Sequence, residues 1–210
     1  MKITLLGDSI RIQYQSKVTE LLGSDFEVFA PTENCRFAKY TLRGLFDWCK
    51  EMSGSRIVHW NNGLWDICNI FGDGVFTSEK EYVENMLRIA DILVKKHEKV
   101  IFATTTPVTE RNPYNQNSDI IHYNEILVPR LIERGVIIND LHMPLYADIE
   151  RYICDDNVHL TEEGISLCAN MTANIISDTA ATMSHNAEIK EGCFSHFISE
   201  AGTLPYTLDE

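Results

Sequence analysis

The chain has 210 residues, 44% hydrophobic and 23% charged, which suits a soluble domain with one well-buried core. Its formal net charge of -13 argues against a nucleic-acid partner and against anionic membrane surfaces, both of which call for clustered Lys and Arg. Six cysteines (Cys35, Cys49, Cys68, Cys154, Cys168 and Cys193) show no C-x-x-C pair or zinc-type spacing, no apolar run is long enough to span a bilayer, and nothing before the first strand reads as a signal peptide. Reduced thiols and a cytoplasmic location are expected.

Ile3 to Leu6 is a short apolar strand that runs into Gly7-Asp8-Ser9, after which Ile10, Tyr14, Val18, Leu21 and Leu22 follow helical spacing as far as Gly23-Ser24. A strand-turn-helix junction places its turn residues at the carboxyl edge of a parallel sheet, beside the positive end of the next helix. Phe26 to Ala30 reads as a second strand and Thr41 to Met52 as a second helix, with the polar loop Glu33-Asn34-Cys35-Arg36-Phe37 between them. Ile57 to Trp60 is a third strand that exits into Asn61-Asn62-Gly63 at the same edge. The stretch Phe71 to Phe76 has turn chemistry between aromatics and reads as a flap beside the site or as a surface turn.

Ser78 and Glu81 form a capping box ahead of an amphipathic helix through Val94, and Val100 to Ala103 is a fourth strand. Then come a polar exit at 104–107, an Asn-rich loop at 111–118, a helix over about 119–134 with a kink expected at Pro129, and a last strand at Val136 to Ile138. An irregular stretch, Asn139 to Val158, leads to a helix capped by Thr161 and reaching about Thr182. Alternating strands and helices predict a three-layer α/β/α sandwich around a flavodoxin-like, five-stranded parallel sheet. Residues 1–182 form the expected domain; the tail at 183–210 reads as wrapping the surface, swapping with a partner in a homo-oligomer, or mobile.

Gly7-Asp8-Ser9 alone is a chance-level tripeptide, and Asp8 or Ser9 as a plain helix cap explains it. Asp155-Asp156-Asn157-Val158-His159 changes the weighing. A carboxylate three residues before a histidine can hold Nδ1–H and leave Nε2 free to take a proton from a hydroxyl, which fits Asp156 and His159.

In the order Ser9, Asn62, Asp156, His159, with Leu160-Thr161 and Gly164 following, the chain over residues 1 to about 180 resembles the SGNH hydrolases, also called the GDSL esterase family. The resemblance implies Ser9 as nucleophile, His159 as general base and acid, and Asp156 as its orienting carboxylate, with Asp155 or Asp148 in reserve. It implies an oxyanion hole of the Ser9 N–H, a second-block N–H and a third-block Asn side chain, because a tetrahedral oxyanion needs converging donors. The second block carries Cys35 where Gly is usual, leaving Cys35 N–H as donor and Gly44 in reserve; the third reads Trp60-Asn61-Asn62-Gly63, which makes Asn62 the donor and Asn61 the alternative.

A Cys35 nucleophile lacks an evident activating partner. Trp60 and Trp65 read as pocket walls or packing, His59 as a core histidine, and His97, His122 and His142 lack metal-site spacing. The implied activity is hydrolysis of small acyl esters, acetyl first and on carbohydrate by preference, with no metal or organic cofactor. Acyl transfer, thioester hydrolysis and a non-catalytic ligand-binding or scaffold role remain alternatives. A nucleotide binder is disfavoured, since neither G-x-G-x-x-G nor G-x-x-x-x-G-K occurs.

Overall fold

The computed structural model describes residues 1–184. Five strands, β1 (Lys2–Leu6), β2 (Glu27–Phe29), β3 (Ile57–Trp60), β4 (Lys99–Ala103) and β5 (Ile137–Asn139), form one sheet in the order β2-β1-β3-β4-β5. Every pairing is parallel. This is the doubly wound order in which ligands lie outside the carboxyl ends of the strands where the winding reverses, here between β1 and β3. Leu6 pairs with Trp60, so the turn after β1 and the turn after β3 emerge side by side.

Helices cover both faces. α1 (Ser9–Leu22) and α9 (Glu162–Ala181) pack together on one face, where Tyr14 of α1 meets the edge of His59 of β3. α2 (Ala38–Asp47), α5 (Glu79–Lys96) and α6 (Asn117–Ile132) pack in series on the other. Strand alternation turns Trp60 to that second face, against Phe102 at a ring separation of 4.9 Å. Three helices start where their caps dictate: Asp8 accepts from Ile10 N–H, Ser78 from Glu81 N–H and Thr161 from Gly164 N–H.

The helix expected over Thr41 to Met52 is two, α2 and the single turn α3 (Cys49–Met52), broken at Trp48. The Trp48 ring folds back over Gly44 so closely that a Cβ there would lie 2.3 Å from it, and its indole N–H donates to Glu33 at 2.8 Å. Short helices absent from the sequence reading follow β3 (α4, Leu64–Ile67) and β5 (α7, His142–Tyr146, and α8, Ile149–Tyr152). Their runs of four or five residues are too short to show a period. α6 continues through Pro129 and ends three residues later. Of the tail, residues 185–210 lie outside the described residues.

Candidate active site

Ser9 is the first residue of α1, held up by a turn that only a bare backbone permits. Gly7 has φ 158°, and a Cβ on it would sit 1.9 Å from Asn61 Oδ1 and 2.7 Å from Arg11 Cβ. Asp8 is wholly buried; its Oδ1 accepts from Ile10 N–H at 3.0 Å and from Asn61 Nδ2 at 3.2 Å. Burial pushes its carboxyl above the usual carboxylate range, against the pull of Asn61, the Ile10 N–H and the Arg11 guanidinium. Asp8 therefore shapes the turn, while His159 Nδ1 is taken by Asp156.

The structure brings Ser9, His159 and Asp156 together across the length of the chain. His159 Nε2 lies 2.9 Å from Ser9 Oγ, and Nδ1 lies 2.6 Å from Asp156 Oδ2. The second carboxylate oxygen of Asp156 accepts the N–H of Val158 at 3.0 Å and of His159 at 2.9 Å. Partial burial raises the Asp156 pKa, but those two N–H groups and the imidazole outweigh it and hold the carboxyl below its ordinary value. It is thus ionised at neutral pH, which fixes Nδ1 as the protonated nitrogen and leaves the Nε2 lone pair facing the Ser9 hydroxyl. Asp155 and Asp148 make no such contact with His159.

The second-block loop is organised around a residue that the sequence reading passed over. Arg11 is wholly buried, two residues beyond Ser9, and its guanidinium donates to the carbonyls of Gly7 (3.1 Å), Pro31 (2.9 Å) and Glu33 (2.8 Å) and to Gln15. It ties the exits of β1 and β2 together. Its signal was available, since a cation in the first helical turn opposes the helix dipole and needs a reason. Cys35 N–H donates to the Gly7 carbonyl at 3.1 Å, so the donor expected there for an oxyanion is occupied by the turn that precedes Ser9. The residue in the left-handed, glycine-favouring region is the next one, Arg36, at φ 50°, and its N–H is capped by Asn34 Oδ1 at 2.7 Å.

Cys35 itself is buried, and burial pushes its thiol pKa up although Arg11 pulls it down, so a thiolate nucleophile is disfavoured. Gly44, the reserve donor, lies inside α2 under the Trp48 ring. A second overlooked residue, Asp66, caps α2 from outside: Ala38 N–H donates to its Oδ2 at 2.9 Å. Burial pushes the Asp66 carboxyl up to about 7, against the Ala38 N–H and the Thr77 hydroxyl.

At the third block, Asn62 is fully buried; its Nδ2 donates to the Arg36 carbonyl at 2.8 Å, and its own carbonyl accepts from Tyr82 and Thr105, each at 3.1 Å. Asn61 Nδ2 is the donor to Asp8 noted above. Gly63 permits this close approach, since a Cβ on it would lie 1.9 Å from Thr105 Oγ1. The Asn61 carboxamide therefore bonds into the Ser9 turn through Asp8, and that of Asn62 onto the Arg36 loop.

Trp60 packs in the core, whereas Trp65 is substantially exposed on α4. The turn at 71–76 is closed by Phe76 N–H donating to Cys68 O at 2.8 Å, and Phe76 rests on Phe37 at a ring separation of 5.5 Å, beside the Arg36 loop. His59 is buried with Nε2 accepting from Asn139 Nδ2 at 3.0 Å, and burial lowers its pKa to about 3, so it is a neutral core group. His97, His122 and His142 bond to Ser55 O, Glu79 and Thr105 O. Among the described residues Cys35, Cys49, Cys68, Cys154 and Cys168 form no disulfide with one another, and no group of three or more His, Cys, Asp or Glu is placed to hold a metal; Cys193 lies outside them. No described helix is long and apolar enough to cross a membrane.

No protein-family model matches the sequence, and no curated protein does. Solved structures do match the fold. A lipase/acylhydrolase from Enterococcus faecalis superposes with TM-score 0.73 at 17% identity, covering 85% of this chain and 96% of that one. An acetyl xylan esterase gives 0.72 at 20% identity, covering 84% and 100%. A member of the lipolytic G-D-S-L family from Veillonella parvula gives 0.69 at 15% identity, covering 84% and 98%.

Proposed function

We propose that this chain, which has the fold of the GDSL or SGNH hydrolases, is a serine esterase acting on small acyl esters. The observation that carries the reading is the unbroken line from Ser9 Oγ to His159 Nε2 (2.9 Å) and from His159 Nδ1 to Asp156 (2.6 Å). His159 takes the hydroxyl proton as Ser9 Oγ attacks the ester carbonyl, and Asp156 stabilises the resulting imidazolium. Collapse of the tetrahedral intermediate breaks the bond to the alcohol, which leaves with the proton from His159. Water, deprotonated by the same imidazole, then attacks the acyl-enzyme; its collapse frees the acid and returns the proton to Ser9.

The oxyanion donors we assign are the Ser9 N–H at the start of α1 and the Asn62 carboxamide, with a third from the loop before α2. In that loop the Cys35 N–H is held by a backbone carbonyl, whereas the Arg36 N–H is held only by the Asn34 side chain, which can rotate away. We therefore give the third place to Arg36 N–H rather than to Cys35 N–H. The turn at Arg36 has the left-handed geometry that such a donor position uses glycine to reach.

For the substrate we assign acetyl esters, carbohydrate acetates first. Two structures of this fold are named acetyl xylan esterases, which supports that choice. The deciding experiment pairs a fluorophosphonate probe with an acyl series of aryl esters from acetyl to octanoyl. Labelling of the wild type but not of Ser9→Ala, with turnover falling as the acyl chain lengthens, is expected. A folded wild type that neither labels nor turns over acetate would sink the esterase reading in favour of a non-catalytic role; faster turnover of a matched thioester would move the substrate class.

A further inference from the structure

Asn157 lies between Asp156 and His159, and with Arg36 it is one of two non-glycine residues at positive φ among the described residues, at φ 72°. A side chain leaves that conformation readily unless something holds it. The Asn157 N–H donates to the Cys154 carbonyl at 2.9 Å within the turn, and its carbonyl and side chain are held by the connection from β4 to α6. The Asn157 carbonyl accepts the Thr109 N–H at 3.2 Å and Asn112 Nδ2 at 3.2 Å, and its Oδ1 accepts the Thr109 hydroxyl at 2.6 Å and Arg111 Nε at 3.3 Å.

That connection is itself braced. Asn117 bonds both the N–H and the carbonyl of Val108, Asn112 Oδ1 accepts from Tyr114 and Asn115 N–H, and Asn115 Nδ2 reaches back to the Leu64 carbonyl behind the third block. Thr109 and Asn112 are both buried. On the other flank of His159, Gln13 of α1 bonds the N–H of Leu160 at 3.0 Å and its carbonyl at 3.3 Å. The imidazole thus stands between two clamps, one on residue 157 and one on residue 160.

We propose that Thr109 and Asn112 are positioning residues, which act through Asn157 to keep His159 Nε2 on the Ser9 hydroxyl. The proposal rests on the esterase reading for its kinetic consequence. Neither residue bonds to Asp156 or His159, so their effect is transmitted by the backbone of the turn. Release of the clamp lets residue 157 relax from φ 72° and tilts the peptide that carries His159, and a small misalignment of a base and its nucleophile is felt in turnover, not in substrate binding.

The test compares Thr109→Val, which keeps shape and loses the hydroxyl, with Thr109→Ser, which restores it. Asn157→Gly is a second route, since glycine tolerates the turn and removes Oδ1. On an aryl acetate, Thr109→Val and Asn157→Gly are expected to lower kcat about tenfold with KM little changed, and Thr109→Ser to retain most of the wild-type kcat. An unchanged kcat in Thr109→Val, a change confined to KM, or a Thr109→Ser as impaired as the valine variant overturns the proposal.

A readout independent of turnover separates its failure from that of the esterase reading. The low-field NMR resonance of the His159 Nδ1 proton on Asp156, identified by its loss in His159→Gln, is expected to weaken or vanish in Thr109→Val and to persist in Thr109→Ser. If the wild type shows no activity, the esterase reading falls and this resonance alone decides the clamp: its persistence in Thr109→Val rejects it.

Discussion

The two halves of the proposed site are built in opposite ways. On the base side, Asp156 and His159 sit three residues apart on one turn, partly open to solvent, and their polar atoms already point along the line to Ser9. On the oxyanion side, several donors are turned inward onto the protein: Cys35 N–H on Gly7, Arg36 N–H on Asn34, Asn62 on Arg36 and Asn61 on Asp8. Local spacing pairs the carboxylate with the imidazole in the first half, though distant loops brace its turn, whereas long-range packing makes nearly every contact of the second. The base side should therefore respond most to loss of its one carboxylate, and the oxyanion side should show effects divided between its two carboxamides and its loop.

The largest expected effect is on the base side. Asp156→Asn keeps an acceptor for the Val158 and His159 N–H groups, so the turn survives, but it no longer fixes the Nδ1–H tautomer. Turnover of an aryl acetate should fall about 10⁴-fold with an unchanged circular dichroism spectrum. Full activity in this variant would remove Asp156 from the site. Next comes the pair at the third block. Asn62→Ala should lower kcat about a hundredfold to a thousandfold by loss of an oxyanion donor. Asn61→Ala should act mainly on thermal stability, because it strips a hydrogen bond from the buried Asp8 carboxyl. The reverse outcome would exchange the two roles.

A smaller effect is carried by pH. The folded Asp66 carboxyl titrates at about 7, against 3.8 for the ordinary group, so between these values the folded chain holds a proton that the unfolded chain has lost. Stability from this group is full below about 4 and declines as pH rises through 7. Asp66→Asn keeps an acceptor for the Ala38 N–H without the charge, so its melting temperature should gain on wild type as pH rises from 4 to 8. A constant difference across that range would show that Asp66 carries no such shift.

The succession of strands and helices along the chain, the capped helices and the Asp156-x-x-His159 turn could be read from the sequence because each is a local signal: period, cap residue, spacing. What could not be read depended on contacts between distant segments. The break at Trp48 arises from its ring lying on Gly44 and its bond to Glu33, and Arg11 reaches across to Pro31 and Glu33. The clamp on Asn157 comes from a loop almost fifty residues earlier, and Asp66 caps a helix that precedes it in the chain. Matching blocks points to Cys35 as the glycine-like position, but backbone dihedrals are set by packing, and the left-handed one falls at Arg36, one residue on.

That one-residue displacement makes the last and smallest prediction a sharp one, because glycine should act in opposite senses at the two neighbouring positions. Arg36 has φ 50°, where a Cβ costs about 1 kcal/mol, and its side chain is exposed. Arg36→Gly relieves that strain and keeps the N–H; it also frees the unfolded chain and removes the guanidinium from the Tyr40 ring, 5.0 Å away, so stability should be unchanged or raised by less than about 1 kcal/mol, with activity kept. Cys35 is buried at an ordinary φ, so Cys35→Gly gains no relief while losing the packing of a buried thiol and adding backbone entropy to the unfolded chain. It should lower stability by about 1 to 2 kcal/mol and loosen the Cys35 N–H from Gly7, and so cost activity as well. Chemical denaturation of the two variants side by side decides the matter: a stabilised Cys35→Gly with a destabilised Arg36→Gly would return the glycine-like donor position to Cys35.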